Sequence, residues 1–211
     1  RGVDKDVEKA KSYYLQSIEQ GDTLAVSYLG SLYVEEFNDT VTGLRYLLQA
    51  ATELADGDAC FRLGAMYAMG VGVKENDAEA LKWYRKGAEL NEGYCKAYLG
   101  LIYENGEGVD KDVAEAVKWY RESAEQGCAV GQCYLGVMYA NGVGVEQSFA
   151  EAMKWFLKAA DQGNTEAQCH IGTSYLNGYG VEQSNSEAFK WFKKAADNED
   201  ERAQHIVGQL Y

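Results

Sequence analysis

The side chains best suited to metal chemistry are cysteines and histidines that recur at one interval. Cys133, Cys169 and His205 follow one another 36 residues apart, and zinc prefers thiolate and imidazole ligands. If the interval marks a structural repeat, the three residues occupy one position on neighbouring helices, which stand roughly 8–10 Å apart. Zinc–sulfur bonds are only about 2.3 Å long, and short cysteine side chains do not close that gap. The sequence therefore predicts neither a metal site nor another cofactor.

Catalytic motifs give no better support for an enzyme. The chain contains no Gly-x-Ser-x-Gly, Ser-x-x-Lys or His-Glu-x-x-His sequence and no phosphate-binding loop. Its two histidines, His170 and His205, limit the choice of a general base. The other cysteines, Cys60, Cys95 and Cys128, bring the total to five, and the five form no pair that recurs in each repeat. A disulfide framework is therefore not expected, and a reducing compartment is favoured. We expect a protein without catalytic residues.

The charge balance limits the partners. The chain has 33 acidic and 20 basic residues and a net charge of -13, and such a surface repels nucleic acid and anionic membranes. No run of residues approaches the roughly 18 apolar positions of a transmembrane helix. Proline is absent from all 211 residues, which suits a chain that is nearly continuous helix. We therefore expect a protein or peptide partner, and neither nucleic acid nor a membrane.

A repeat of about 36 residues runs through the chain. A Leu-Gly pair or a close variant is followed three residues later by tyrosine, then by Gly-x-Gly-Val and a tryptophan. The glycines of the pair are Gly30, Gly64, Gly100, Gly136, Gly172 and Gly208, at intervals of 34, 36, 36, 36 and 36 residues. Such a period predicts stacked helix pairs. The predicted segments are a partial repeat at 1–21, full repeats at 22–57, 58–93, 94–129, 130–165 and 166–201, and a partial repeat at 202–211.

Each repeat is predicted to hold two helices. The first helix carries the Leu-Gly pair, and the second helix carries the tryptophan or its equivalent tyrosine. Side-chain oxygens that can cap the second helix stand at Asp6, Asp39, Asn76, Asp112, Ser148 and Ser184. The residues predicted to close the second helix are Gly21, Gly57, Asn91, Gly127 and Gly163.

The markers together identify a family resemblance. One repeat carries them at Ala59, Leu63, Gly64, Tyr67, Gly70, Gly72, Val73, Glu79, Ala80, Trp83, Tyr84 and Ala88. This pattern resembles the Sel1-like repeat family, which is related to the tetratricopeptide repeats, and it covers nearly the entire chain. It departs from the family at residues 34–38, which lack Gly-x-Gly-Val. The resemblance implies an all-α fold, an α/α right-handed superhelical solenoid of helix-turn-helix repeats, as a single array over 1–211.

The first helices have a second apolar face, opposite the one that meets the second helix. A lone amphipathic helix would carry charged residues there. Either neighbouring first helices cover this face, or part of it stays open as a concave groove for an extended or helical peptide. In the related tetratricopeptide repeats the concave side binds ligand, which is what the resemblance implies here. The predicted contact residues are Phe61, Ala65, Met69, Ala97, Leu101, Asn105, Cys133, Val137, Asn141, Cys169, Thr173 and Asn177.

We therefore predict a scaffold or adaptor that binds an apolar-leaning protein segment on its concave face. Asn105, Asn141 and Asn177 bond either to the peptide backbone or, as an alternative, to the local turn. Two other functions stay open. Cysteine-rich relatives are associated with penicillin binding, which would imply hydrolase-like activity. The chain also begins and ends inside a repeat without polar caps, which favours an architectural module that associates with itself.

Overall fold

The computed structural model describes residues 6–198 and 200–210. Within these ranges the chain forms twelve helices and no strand, as the sequence predicts. The helices are α1 (Val7–Glu19), α2 (Leu24–Glu35), α3 (Thr40–Glu53), α4 (Gly57–Met69), α5 (Asp77–Glu89), α6 (Gly93–Asn105), α7 (Val113–Glu125), α8 (Ala129–Asn141), α9 (Phe149–Asp161), α10 (Thr165–Asn177), α11 (Asn185–Asp197) and α12 (Glu201–Leu210). Even-numbered helices are the predicted first helices, and odd-numbered helices are the second. None of the described helices is long and apolar enough to cross a membrane.

Side-chain caps begin the second helices at the predicted residues. In each case an oxygen of the capping side chain accepts a hydrogen bond from the backbone N–H three residues further on, which would otherwise lack a partner in the helix. The caps are Asp6, Asp39, Asn76, Asp112, Ser148 and Ser184. The sequence therefore fixes where these helices start.

In the described residues, a residue with left-handed backbone stands two positions after the last residue of α1, α3, α5, α7 and α9, and one of the predicted residues is wrong. Gly21, Gly127 and Gly163 have φ values of 91°, 92° and 87°, and Asn91 has 67°. After α3, however, the left-handed residue is Ala55, with φ 53°, whereas Gly57 is the first residue of α4. The repeat is two residues shorter here, so the closing position falls on Ala55 rather than on the nearby glycine.

The Leu-Gly glycines allow the two helices of a repeat to approach closely. A Cβ atom at Gly64 would be 2.5 Å from Cε1 of Tyr84, and a Cβ at Gly136 would be 2.6 Å from Cε1 of Phe156. Both distances are far below ordinary carbon contacts of about 3.5–4.0 Å. An aromatic ring of the second helix lies directly against the glycine of the first helix, so a side chain at this position has no room. The neighbouring leucine, Leu135 in α8, is fully buried.

Glutamines that the sequence does not single out tie successive helices together in the C-terminal part of the chain. The amide of Gln132 donates a hydrogen bond to the carbonyl of Ala124 at 3.3 Å, and the amide of Gln168 donates to Ala160 at 3.5 Å. These carbonyls lie at the C-terminal ends of α7 and α9, where each also accepts a hydrogen bond from the backbone N–H of the glycine that follows the helix, Gly127 or Gly163. Each bond holds a first helix against the second helix that precedes it.

Consecutive helix pairs pack in the manner of a solenoid within two compact units, 1–99 and 100–211. Unit 1 holds α1 to α5 and the start of α6, and unit 2 holds the end of α6 and α7 to α12. The repeat boundaries, the single array over 1–211 and the right-handed superhelix stay predictions.

Candidate functional site

Three predicted contact residues line one open cavity in unit 1. Phe61, Ala65 and Met69 face it from α4. The cavity has a volume of about 380 Å³ and lies between the first helices α2 and α4. Its complete lining is Ser31, Val34, Glu35, Leu47, Phe61, Arg62, Ala65, Met66, Met69, Val71 and Tyr98. We call it the unit 1 cavity. An apolar hollow with a few polar groups at its edge is the usual form of a ligand-binding site.

Two residues that line the unit 1 cavity, Phe61 and Tyr98, belong to a cluster of packed aromatic rings. The Phe61 ring lies 5.2 Å from that of Tyr98 and 5.3 Å from that of Tyr94, and the Tyr84 ring lies 5.5 Å from that of Tyr98. Such offset contacts hold the rings in place. Met69, by contrast, is 67% exposed, and a methionine side chain adapts its shape to what it contacts. The cavity therefore combines fixed rings with an adaptable rim.

Charged side chains form another part of the rim of the unit 1 cavity. The Arg62 guanidinium donates a hydrogen bond to Asp58 at 2.7 Å and another to Glu35 at 3.1 Å. Burial of Arg62 opposes its charged form, but the hydrogen bonds and charges of Asp58 and Glu35 outweigh it and raise the pKa of Arg62. One cation thus serves two carboxylates.

Unit 2 has a smaller cavity of about 160 Å³ at the equivalent place, between α8 and α10. Its lining is Ala140, Asn141, Phe149, Ala152, Phe156, His170, Thr173, Ser174 and Tyr179. The His170 ring stacks on that of Phe156 at 4.8 Å. Burial lowers the pKa of His170, with Glu166 acting against the shift and Arg202 adding to it. Asn141 and His170 occupy the repeat positions of Glu35 and Arg62, so a neutral pair stands where unit 1 has an ion pair.

Two predicted contact residues are not accessible to a partner. Ala97 and Cys133 have exposures of 0% and 1%. Cys133 belongs to the unit 2 core together with Ala167. Packed helices cover the small side chains of Ala97 and Cys133, whereas the large ring of Phe61 at the same repeat position reaches the cavity. Ala97 and Cys133 are therefore corrected from contact residues to core residues.

The other predicted contact residues lie at or near the surface of unit 2. Leu101, Val137 and Cys169 are half-buried. Asn105, Asn141, Thr173 and Asn177 are exposed, and Asn141 and Thr173 both line the unit 2 cavity. Two of the amides make local bonds: Asn105 donates to Glu107 at 2.8 Å, and Asn177 donates to the Thr173 carbonyl at 3.0 Å. The involvement of all these residues in binding stays a prediction.

The five cysteines are free thiols. Burial raises the pKa of Cys60 and of Cys169 to about 11, and burial also raises that of Cys95 and Cys133. Such thiols are poor nucleophiles, because the thiolate is the reactive form. Among the described residues, no group of three or more histidine, cysteine or acidic side chains is arranged to hold a metal ion.

Sequence reasoning missed a row of rings two residues before the Leu-Gly glycine. Tyr98 packs 5.5 Å from Tyr84, and Tyr134 packs 5.1 Å from Tyr120. In each pair the first-helix ring covers an aromatic residue on the second helix of the preceding repeat. The signal was present in the sequence, because Tyr28, Tyr98, Tyr134 and His170 share this repeat position. Tyr98 and His170 are also cavity-lining residues.

Comparison with known proteins shows which family this chain resembles in sequence and fold. The family model of the Sel1 repeat matches residues 1–22, 24–53, 57–92, 94–128, 129–164 and 165–200. A solved Sel1 repeat protein from Oxalobacter formigenes is 32% identical, with a TM-score of 0.79, over 92% of this chain and 78% of that protein. A protective antigen of uropathogenic Escherichia coli strains, with an SLR fold, is 34% identical, with a TM-score of 0.74, over 99% of this chain.

A curated relative, the DAP3-binding cell death enhancer 1 of Rattus norvegicus, is 34% identical over 88 residues. These residues are 41% of this chain, which spans only 17% of the relative; it spans 44% of the Escherichia coli antigen. The family match, in contrast, extends over almost the whole chain. The chain therefore belongs to the Sel1 repeat family, whose members generally act as protein–protein interaction scaffolds.

Proposed function

We propose that this chain is a scaffold that binds an apolar segment of a partner protein in the unit 1 cavity. The observation that carries the proposal is that Phe61, Ala65 and Met69 line one accessible cavity of about 380 Å³. Their shared face is the one on which the family resemblance predicts ligand binding. The family assignment supports the class of partner, a protein.

The energetic basis of binding is the apolar surface that the cavity leaves in contact with water. Met69 is 67% exposed, and Val71, just after the end of α4, is 37% exposed. Covering such side chains is favourable by about 25 cal/mol for each Å² of apolar surface. Because the ring of Phe61 is already held by Tyr94 and Tyr98, binding orders few additional side chains and loses little entropy there.

The name of the rat relative supports a protein partner. It describes a protein that binds another protein, DAP3. Since the similarity covers only 41% of this chain, we extend to it only the class of partner. An enzymatic role is favoured by no specific feature of the described residues, and burial raises the pKa of four of the five thiols.

A selection with a phage-displayed library of random peptides tests the proposal. Ala65→Glu places a charged side chain in the cavity. Ala78→Glu makes the same change at an exposed position of α5 in the same unit. We expect the wild type and Ala78→Glu to enrich the same apolar peptides, and Ala65→Glu to bind them at least about tenfold more weakly, a loss of about 1.4 kcal/mol.

Circular dichroism must first show that both variants keep the helix content of the wild type. If folded Ala65→Glu then binds the enriched peptides as tightly as the wild type does, the cavity is not the binding site and the proposal fails. If the wild type enriches no peptide above the background of the empty support, the proposal fails as well.

A further inference from the structure

We propose that the partner segment carries a lysine or arginine beside its apolar side chain, and that this cation pairs with Glu35 at the rim of the unit 1 cavity. The inference rests on the proposed function and specifies the chemistry of the partner. It commits to one occupant of the cavity, a basic and apolar peptide segment of another protein.

The ionic cluster at the rim of the unit 1 cavity has more negative than positive charge when Asp58, which lies outside the cavity lining, is counted with Glu35 and Arg62. Glu35 and Asp58 both pair with Arg62, so the group as a whole keeps one negative charge. The Glu35 side chain is 61% exposed, and that of Arg62 is 29% exposed. The carboxylate is therefore the member of the pair that a partner reaches more easily. Carboxylates accept several hydrogen bonds, so a second cation can share Glu35 with Arg62.

Two helix ends add to the negative potential at the same place. Glu35 is the last residue of α2, Met69 is the last residue of α4, and both line the unit 1 cavity. The C-terminal end of a helix carries a partial negative charge and favours cations nearby. A cation bound at Glu35 would lie beside both ends. The potential of the rim therefore selects against an acidic segment.

The ion pair is not needed for the repeat to fold. The repeat position of Glu35 is occupied by Met69, Asn105, Asn141 and Asn177 in the following first helices. The position of Arg62 is occupied by Tyr98, Tyr134 and His170. Side chains that fold the repeat recur with its period, whereas this pair occurs between α2 and α4 alone. Its departure from the period is what we expect of a residue pair that specifies a partner.

The charge of the whole chain acts in the same direction. A net charge of -13 attracts a basic segment over distances longer than a direct contact and speeds its encounter with the cavity. The unit 2 cavity differs, because the neutral pair Asn141 and His170 stands at its rim. A preference for a neighbouring cation is therefore expected at the unit 1 cavity and not at the equivalent cavity of unit 2.

The test repeats the peptide selection with Glu35→Lys, using Glu53→Lys as the control. Glu53 is the exposed last residue of α3, so both variants change the net charge equally. We expect the wild type and Glu53→Lys to enrich peptides with lysine or arginine next to a large apolar residue. Glu35→Lys should lose this preference and favour an acidic residue in its place. For one synthetic peptide from the wild-type selection, replacing that cation with glutamine should weaken binding about two- to fivefold.

The outcomes separate the two proposals. If Ala65→Glu removes binding but the enriched peptides carry no cation, and Glu35→Lys binds them as the wild type does, the cation inference fails while the proposed function stands. If no enriched peptide depends on Ala65, both fail. If sedimentation shows a wild-type dimer that Ala65→Glu dissociates, the occupant is a second copy of this chain, and the inference is overturned.

Discussion

The close contact between the two helices of a repeat predicts that Gly136→Ala destabilises unit 2. The new Cβ would lie 2.6 Å from Cε1 and 2.7 Å from Cδ1 of Phe156. Ordinary carbon contacts are about 3.5–4.0 Å, so the ring must move by about 1 Å. Phe156 is only 2% exposed and lines the unit 2 cavity, and a shift of its ring into that space disrupts the stacking contact with His170.

The expected loss is the cost of overpacking reduced by the better helix propensity of alanine. Inserting a methyl group into a filled core costs about 1–3 kcal/mol, and replacing glycine with alanine within a helix returns about 1 kcal/mol. Because the Phe156 ring can move only at the expense of its stacking contact with His170, we expect a cost near the upper end and a net loss of about 1–2 kcal/mol in the free energy of unfolding.

Gly208→Ala is the matched control, since Gly208 holds the same repeat position and a Cβ there would meet nothing within 4 Å. It should stabilise the chain by up to about 1 kcal/mol. Urea denaturation followed by circular dichroism measures both variants against the wild type. If Gly136→Ala proves as stable as the wild type, or if both variants change stability in the same direction, the packing of ring on glycine described above is wrong.

Three further predictions concern stability. Gln168→Leu removes the hydrogen bond from the buried Gln168 amide to the Ala160 carbonyl, which still accepts one from the backbone N–H of Gly163, and should lower the free energy of unfolding by about 0.5–1.5 kcal/mol; an unchanged urea midpoint would contradict this role. Ala55→Gly relieves a left-handed backbone (φ 53°) and should stabilise by about 1 kcal/mol; a lower melting temperature would count against it. Burial, opposed by Glu166, lowers the pKa of His170, so the unfolded chain binds this proton more tightly and wild-type stability falls as the pH drops below 6.5. His170→Phe should lack that part of the loss; equal losses in both proteins between about pH 8 and pH 5 would refute it.

Most of the fold could be predicted from the sequence, because the residues that shape the repeat recur with its period. Capping oxygens such as Asp112 and Ser148 begin the second helices as predicted. The error at Gly57 shows the limit of residue type as a signal. Glycine is the usual residue for left-handed backbone, yet the position that the chain geometry requires is Ala55. Counting the repeat through its two-residue deletion would have placed the turn correctly.

The candidate site could be predicted only in part, because a helical wheel shows which side chains share a face of a helix and not how deeply each is buried. The predicted contact residues Phe61, Ala65 and Met69 line one cavity, and their role in binding stays a prediction. The helical wheel could not show that Ala97 is fully buried, since burial depends on how neighbouring helices stack. The hydrogen bond between Arg62 and Glu35 joins residues 27 positions apart. Neither residue type recurs with the repeat, so the repeat pattern does not predict this bond.

The methionine methyl groups provide the most direct measurement of the central claim, that the unit 1 cavity receives the partner. The chain has four methionines. Met66 and Met69 line the unit 1 cavity, whereas Met138 and Met153 are buried in unit 2. In a protein labelled with ¹³C at the methionine methyl groups, a peptide from the wild-type selection should shift the signals of Met66 and Met69 and leave those of Met138 and Met153 in place. Binding that shifts neither cavity methyl would contradict the claim.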